Sequence, residues 1–130
     1  MIFLDSSFLI AFFLRTNSNY ERASEIFEST IKDETFLISH HVLSEIITMV
    51  GRKIDSKASF EVYNFLIYSC KVHTESSKDY NKAINLFVQY DGDLSFVDCL
   101  NLAIMESRNI SKIASFDDNF DMVKDIERIH

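Results

Sequence analysis

The chain has no proline, no tryptophan and only two glycines among its 130 residues. That excludes collagen-like repeats and flexible or Pro-rich linkers, and no low-complexity tract or internal repeat takes their place. The two cysteines, Cys70 and Cys99, fit neither a disulfide framework nor a metal knuckle. Both read as core residues, and a reducing cytoplasm is the expected setting. The apolar runs are short: Phe8 to Leu14 falls well below the length of a bilayer span, and no membrane association is expected. The first residues are not expected to act as a signal peptide, because no basic segment precedes the apolar run and Asp5 interrupts it. Positive charge is scarce as well, with 13 basic against 20 acidic residues and a net charge of −7. A protein that grips nucleic acid over a broad cationic surface is thereby excluded, but a nuclease that meets its substrate through a metal is not.

What is present is one domain over residues 1–130, large enough to bury roughly two-thirds of the surface its unfolded chain would expose. Short apolar runs at Ile2–Leu4, Thr35–Ser39, Lys112–Phe116 and Ile126–Ile129 read as strands, and Cys70–Thr74 reads as a strand near an edge because Lys71 and His73 alternate with Cys70 and Val72. Helical patterns lie between them. One covers Phe8–Leu14; another carries Tyr20, Ala23, Phe27 and Ile31 after the starting cluster Asn17-Ser18-Asn19. HHVLSEIITMVGRK reads as a helix closed by Gly51 and the cations Arg52 and Lys53, with the adjacent His40 and His41 as turn residues. A further helix starts at Asp55 and Ser56, and the next is capped by Ser76 or Ser77 and ended by Asp91-Gly92-Asp93. The last, Phe96–Met105, is apolar on nearly every side and stops at Asn109. Strands alternating with helices predict an α/β fold on a parallel sheet, and right-handed crossovers put every strand's carboxyl end on one side.

Four carboxylates occupy special places in this pattern. Asp5 ends the first strand; it either caps the next helix, with Ser6 as an alternative cap, or faces the sheet edge where ligands collect. Glu45 lies at the margin of its helix's core face, beside Met49. Asp98 sits in the apolar helix, either as the partner of a Ser95 capping box or, with Asn101 one turn on, in a polar line of its own. Asp117 ends the fourth strand, where Asp117-Asp118-Asn119 also makes an ordinary turn. Each has a local explanation, yet all four can face one edge. There they would repel one another and raise each other's pKa values unless a cation were present, and hard oxygen donors without Cys or His suit magnesium or manganese.

The stretches LDSS, SEII, LSFVDCLNLAIM and ASFDDNF, in that order, resemble the PIN-domain family, in particular the VapC-type toxins of toxin-antitoxin pairs. The resemblance covers essentially the whole chain. It implies a three-layer fold whose central parallel sheet of four to five strands has the order 3-2-1-4-5, with helices on both faces. It implies that Asp5, Glu45, Asp98 and Asp117 are the catalytic acidic residues that hold Mg2+ or Mn2+, and that Ser7 and Ser115 order the site. Cys99 departs from the small residue usual after the third aspartate, and Asp118 and Asp121 stand near the fourth as possible helpers or turn residues. The activity implied is metal-dependent hydrolysis of RNA by a cytoplasmic endoribonuclease, leaving a 5′-phosphate and a 3′-hydroxyl. Arg15, Arg52, Lys53 and Lys57 are candidate phosphate contacts. A homodimer is implied, and so is a VapB-like antitoxin that lays apolar residues in a groove lined by the helix of Phe8, Phe12 and Phe13. Two other classes compete. A phosphoacceptor receiver domain needs an aspartate after the third strand, which CKVHT lacks; a catalytically silent PIN-like binding or assembly module would keep the fold without the reaction.

Overall fold

Five short strands, β1 (Ile2–Leu4), β2 (Phe36–Ser39), β3 (Cys70–His73), β4 (Lys112–Ala114) and β5 (Glu127–Ile129), form one sheet in the order β3-β2-β1-β4-β5. Every neighbouring pair is parallel; the computed structural model describes residues 1–130. The residue types explain the order. All residues of β1 and β2 are buried, as strands covered on both faces must be. The alternating β3 is partly exposed at one edge, and β5 closes the other.

The helices are α1 (Ser6–Phe13), α2 (Tyr20–Ile26), α3 (His40–Lys53), α4 (Ser56–Ser69), α5 (Ser77–Gln89) and α6 (Phe96–Ser107), with a π-helical turn over Phe27–Ile31 and a 3₁₀ turn over Asp118–Met122. Because α1 to α4 connect β1, β2 and β3 in one direction across the sheet and α5 and α6 lead back to β4, right-handed connections put the two groups on opposite faces. Their contacts agree: α1 packs on α2 and α3, α3 on α4, and α5 on α6. In α6 every residue from Asp98 to Met105 is buried, the outcome expected of a helix without a polar face.

Several local readings need correction. Gly51 does not end α3, which runs on to Lys53. Its missing side chain serves packing instead: a Cβ there would stand 3.0 Å from Ser59 Oγ, a hydroxyl that reaches across from α4 to donate to the Ile47 carbonyl at 2.8 Å. His40 and His41 are not turn residues but the first helical residues of α3, whose cap is Ser39. Ser6 lies inside α1 rather than capping it. Cys99 is buried as expected, whereas Cys70 is only half-buried. Burial pushes the Cys70 thiol up to about 11; burial and then the charge of Asp98 push Cys99 up as well, so neither is a reactive thiolate at neutral pH.

The carboxyl ends of β2 and β3 are tied by a polar clamp. Glu75 Oε1 accepts from the His41 backbone amide at 2.9 Å and pairs with His41 Nδ1 at 2.6 Å. Burial pushes the Glu75 carboxyl up, but the bonds from the His41 and Glu75 backbone amides and the bond and charge of the His41 ring together outweigh it and hold it below the usual range. An acid with a lowered folded-state pKa adds stability above its unfolded value, and that stability is lost as pH falls through the folded value. Glu75→Gln is therefore expected to cost about 1–2 kcal/mol at neutral pH and to flatten the loss of stability below roughly pH 4.5, measured by urea denaturation across pH.

Candidate active site at the carboxyl edge of the sheet

The register of the central strands builds this site. Phe3 pairs with Ile113 and Leu4 with Ala114, so the next residues, Asp5 and Ser115, leave the sheet side by side. The Asp5 amide donates to the Ala114 carbonyl at 3.1 Å. Asp5 occupies the cap position of α1, yet its carboxylate makes no capping bond. It is buried, and it is held by hydroxyls. Ser7 Oγ donates to Asp5 Oδ2 at 2.7 Å and Ser115 Oγ donates to the same oxygen at 2.8 Å.

Each of these hydroxyls also accepts a backbone amide from the segment leaving β4: Phe116 N–H donates to Ser7 Oγ and Asp117 N–H to Ser115 Oγ, both at 3.0 Å. Ser7 and Ser115 thus link Asp5 to the chain that carries Asp117. Ser115 is fully buried, and Ser115→Ala leaves the Asp117 amide and one lone pair of Asp5 without a partner. The expected cost is about 1–3 kcal/mol, seen as a lower urea midpoint with unchanged slope.

Asp98 belongs to both of its sequence readings. It completes a capping box, donating its amide to Ser95 Oγ and accepting from the Ser95 amide, each at 3.1 Å. Burial pushes its carboxyl up, the Ser95 bonds oppose this, and the charges of Asp117 and Asp5 push it further up, so that the net displacement is upward. The three aspartates therefore share one electrostatic environment. One turn after Asp98, the fully buried Asn101 donates from Nδ2 to Asp5 Oδ1 over a long 3.4 Å, and its own Oδ1 is buried without a partner. The polar line along α6 leads to Asp5.

Asp117 caps the 3₁₀ turn, accepting from the Asn119 amide through Oδ1 at 2.9 Å, while its Oδ2 carries no hydrogen bond. Asp98 likewise keeps Oδ1 free. The donor set is all oxygen, which suits a hard divalent cation. As the side chains stand, no group of three or more His, Cys, Asp or Glu residues is arranged to hold a metal ion. Glu45 is exposed on the second turn of α3 and is not among the charges that displace Asp98. Arg15, Arg52, Lys53 and Lys57 are exposed. Arg52 and Lys53 lie at the far end of α3, roughly 18 Å along the axis from its start, Arg15 follows the end of α1, and Lys57 opens α4. These four are not gathered at the aspartates.

A cation that local sequence patterns do not reveal does come close. Arg128, on β5, binds Asp121 through Nε and Nη2 at 2.7 and 2.8 Å and donates from Nη1 to the Ser115 carbonyl at 3.2 Å. A pair seven residues apart, one in a 3₁₀ turn and one in a strand, has no periodic signature.

Phe8, Phe12, Phe13, Phe27, Phe36 and Phe65 line a cavity of about 380 Å³ between α1, the π-helical turn and α4, which reaches the ends at which β2 and β3 begin. Phe8 is stacked between Phe12 and Phe116, with ring centres 6.2 and 5.9 Å away.

Comparison with known structures gives the same architecture. VapC20 of Mycobacterium tuberculosis, described as a sarcin–ricin-loop-cleaving toxin, superimposes with a TM-score of 0.82 at 24% identity, over 93% of each chain. A chain of a toxin-antitoxin complex from Klebsiella pneumoniae gives 0.76 at 14% identity, over 98% of this chain and 96% of its own. VapBC2 of Rickettsia felis, bound to a promoter DNA fragment, gives 0.72 at 15% identity over the full length of both chains. No curated protein matches the sequence. The profile of the PIN domain matches residues 2–126, which takes in every strand of the sheet but the last, and the chain is a member of the PIN domain family.

Proposed function

We propose that this protein is a divalent-cation-dependent endoribonuclease of the VapC toxin type. The observation that carries this reading is the placement of Asp5, Asp98 and Asp117 at the crevice between β1 and β4, where burial first, and then the charges of Asp117 and Asp5, push the Asp98 carboxyl up. In a parallel sheet that crevice, where the strand order reverses, is where ligands bind. Asp5 is oriented by the two serines, Asp98 by its capping box and Asp117 by the Asx turn it makes, so each arrives with its backbone fixed. Together they hold Mg2+ or Mn2+, with Glu45 as a fourth, outer carboxylate. Such a cation supplies Lewis acidity towards a phosphodiester and a water acidified enough to attack it. The exposed cations Arg15, Arg52, Lys53 and Lys57 contact phosphates away from the scissile bond.

The phenylalanine-lined cavity fits apolar side chains of a VapB-like antitoxin, and the aspartates at the carboxyl edge of the sheet fit a basic one. The solved toxin-antitoxin complexes of the same fold support that partner. The working form is a single-domain chain in a cytoplasmic homodimer. A silent binding module draws its support from the exposure of Glu45 and the open spacing of the carboxylates.

Cleavage of a mixed pool of structured RNAs by purified protein decides between the two. Cutting that requires Mn2+ and disappears with chelator and in Asp98→Asn is the expected result. Well-folded protein that neither cuts nor binds Mn2+ overturns it in favour of the silent module.

A further inference from the structure

The segment from Ser115 to Asp121 carries the Asp117 arm of the site, and at its far end a 3₁₀ turn sets Phe120 in the core and leaves Asp121 on the surface. Its near end is set by the sheet, through the Ser115 amide on the Ile129 carbonyl at 3.1 Å. Arg128 grips both ends at once, with two bonds to Asp121 and one to the Ser115 carbonyl. The Arg128 side chain is only 8% exposed, whereas Asp121 is 55% exposed. A buried planar fork spanning two points of a loop is geometry that arginine provides and lysine does not.

We propose that Arg128 is a positioning residue for the metal site: by bridging Asp121 and the Ser115 carbonyl it fixes the loop on which Asp117 is carried towards Asp5 and Asp98. This rests on the reading of those aspartates as cation ligands. The guanidinium also feels the charges of Asp118 and Asp117, which raises a competing account. As a mere positive charge, Arg128 would weaken cation binding; as a clamp, it strengthens it. The two accounts predict opposite signs.

The test measures Mn2+ affinity by calorimetry, and hydrogen exchange of the Asp117 and Asn119 amides without metal, in the full chain and in Arg128→Gln, Arg128→Lys and Asp121→Asn. A clamp predicts that both Arg128 variants bind Mn2+ about 10–100-fold more weakly, the range for loss of a partner that orients a ligand. It also predicts that both amides exchange faster. Lysine keeps the charge and loses the fork, so its failure to rescue is diagnostic. Asp121→Asn alters only an exposed partner, tests the same bridge with the core intact, and is expected to fall between wild type and Arg128→Gln. Tighter binding in Arg128→Gln with wild-type behaviour in Arg128→Lys overturns the proposal. If the wild-type chain binds no Mn2+, the metal reading fails by itself. Exchange then still decides the clamp: faster amides in Arg128→Lys and Asp121→Asn uphold it, and unchanged amides overturn it.

Discussion

Asp98→Asn is expected to reduce metal-dependent RNA cleavage by more than about 100-fold, beyond the range for loss of a merely orienting partner, while the protein remains folded. Asparagine keeps an oxygen for the Ser95 amide, so the capping box survives in form, and one of three mutually repelling charges is removed. The urea midpoint is therefore expected to hold or rise. Asp98→Ala is the control: it loses the bond to the Ser95 amide and is expected to cost about 1 kcal/mol. If Asp98 were only a cap, the asparagine variant would cleave normally and the alanine variant would be merely less stable. Cleavage assays run beside urea denaturation on both variants separate the roles.

Phe8→Ala is expected to have the largest effect on stability, about 3–5 kcal/mol. That corresponds to roughly 12–20 °C in melting temperature for a domain of this size. Phe8 is 1% exposed, and its ring lies between Phe12 and Phe116, so alanine opens a void that the surrounding helices only partly fill. Phe116 directly precedes Asp117, and the loss of its stacking partner loosens the same loop that Arg128 holds. Thermal denaturation gives the first effect. Faster exchange of the Asp117 amide in the folded variant, beyond that of a core change remote from the loop such as Leu94→Ala, gives the second.

How much of this was readable in the chain depended on whether the cause was local. The strands showed as apolar runs because the β1 and β2 residues are covered on both faces, and the apolar girth of α6 told of its burial directly. Asp98 could be read as cap or ligand because its backbone role is local and its charge environment is not. Asp5 was undecidable in the same way: only the pairing of β1 with β4 shows that its carboxylate turns to Ser7 and Ser115 instead of the helix amides. Gly51 misled because its reason lies on another helix, at Ser59. Glu45 matched a motif, but the structure leaves it in solvent. The Arg128 bridge had no signal, since it depends on a turn and an edge strand folding back on each other.

The central position of β1 has a consequence for synthesis. Asp5 is made about 110 residues before Ser115, the partner that donates to its carboxylate. At typical elongation rates the ribosome needs roughly 5–20 s to cover that distance. During that interval β2 and the helices up to α4 can begin to pack on β1, but the edge that β4 will occupy stays open. The aspartate cluster is therefore among the last features of the nascent chain to form. The proposed RNA-cutting centre, built this way, stays incomplete while its own messenger is being translated through the first four-fifths of the domain.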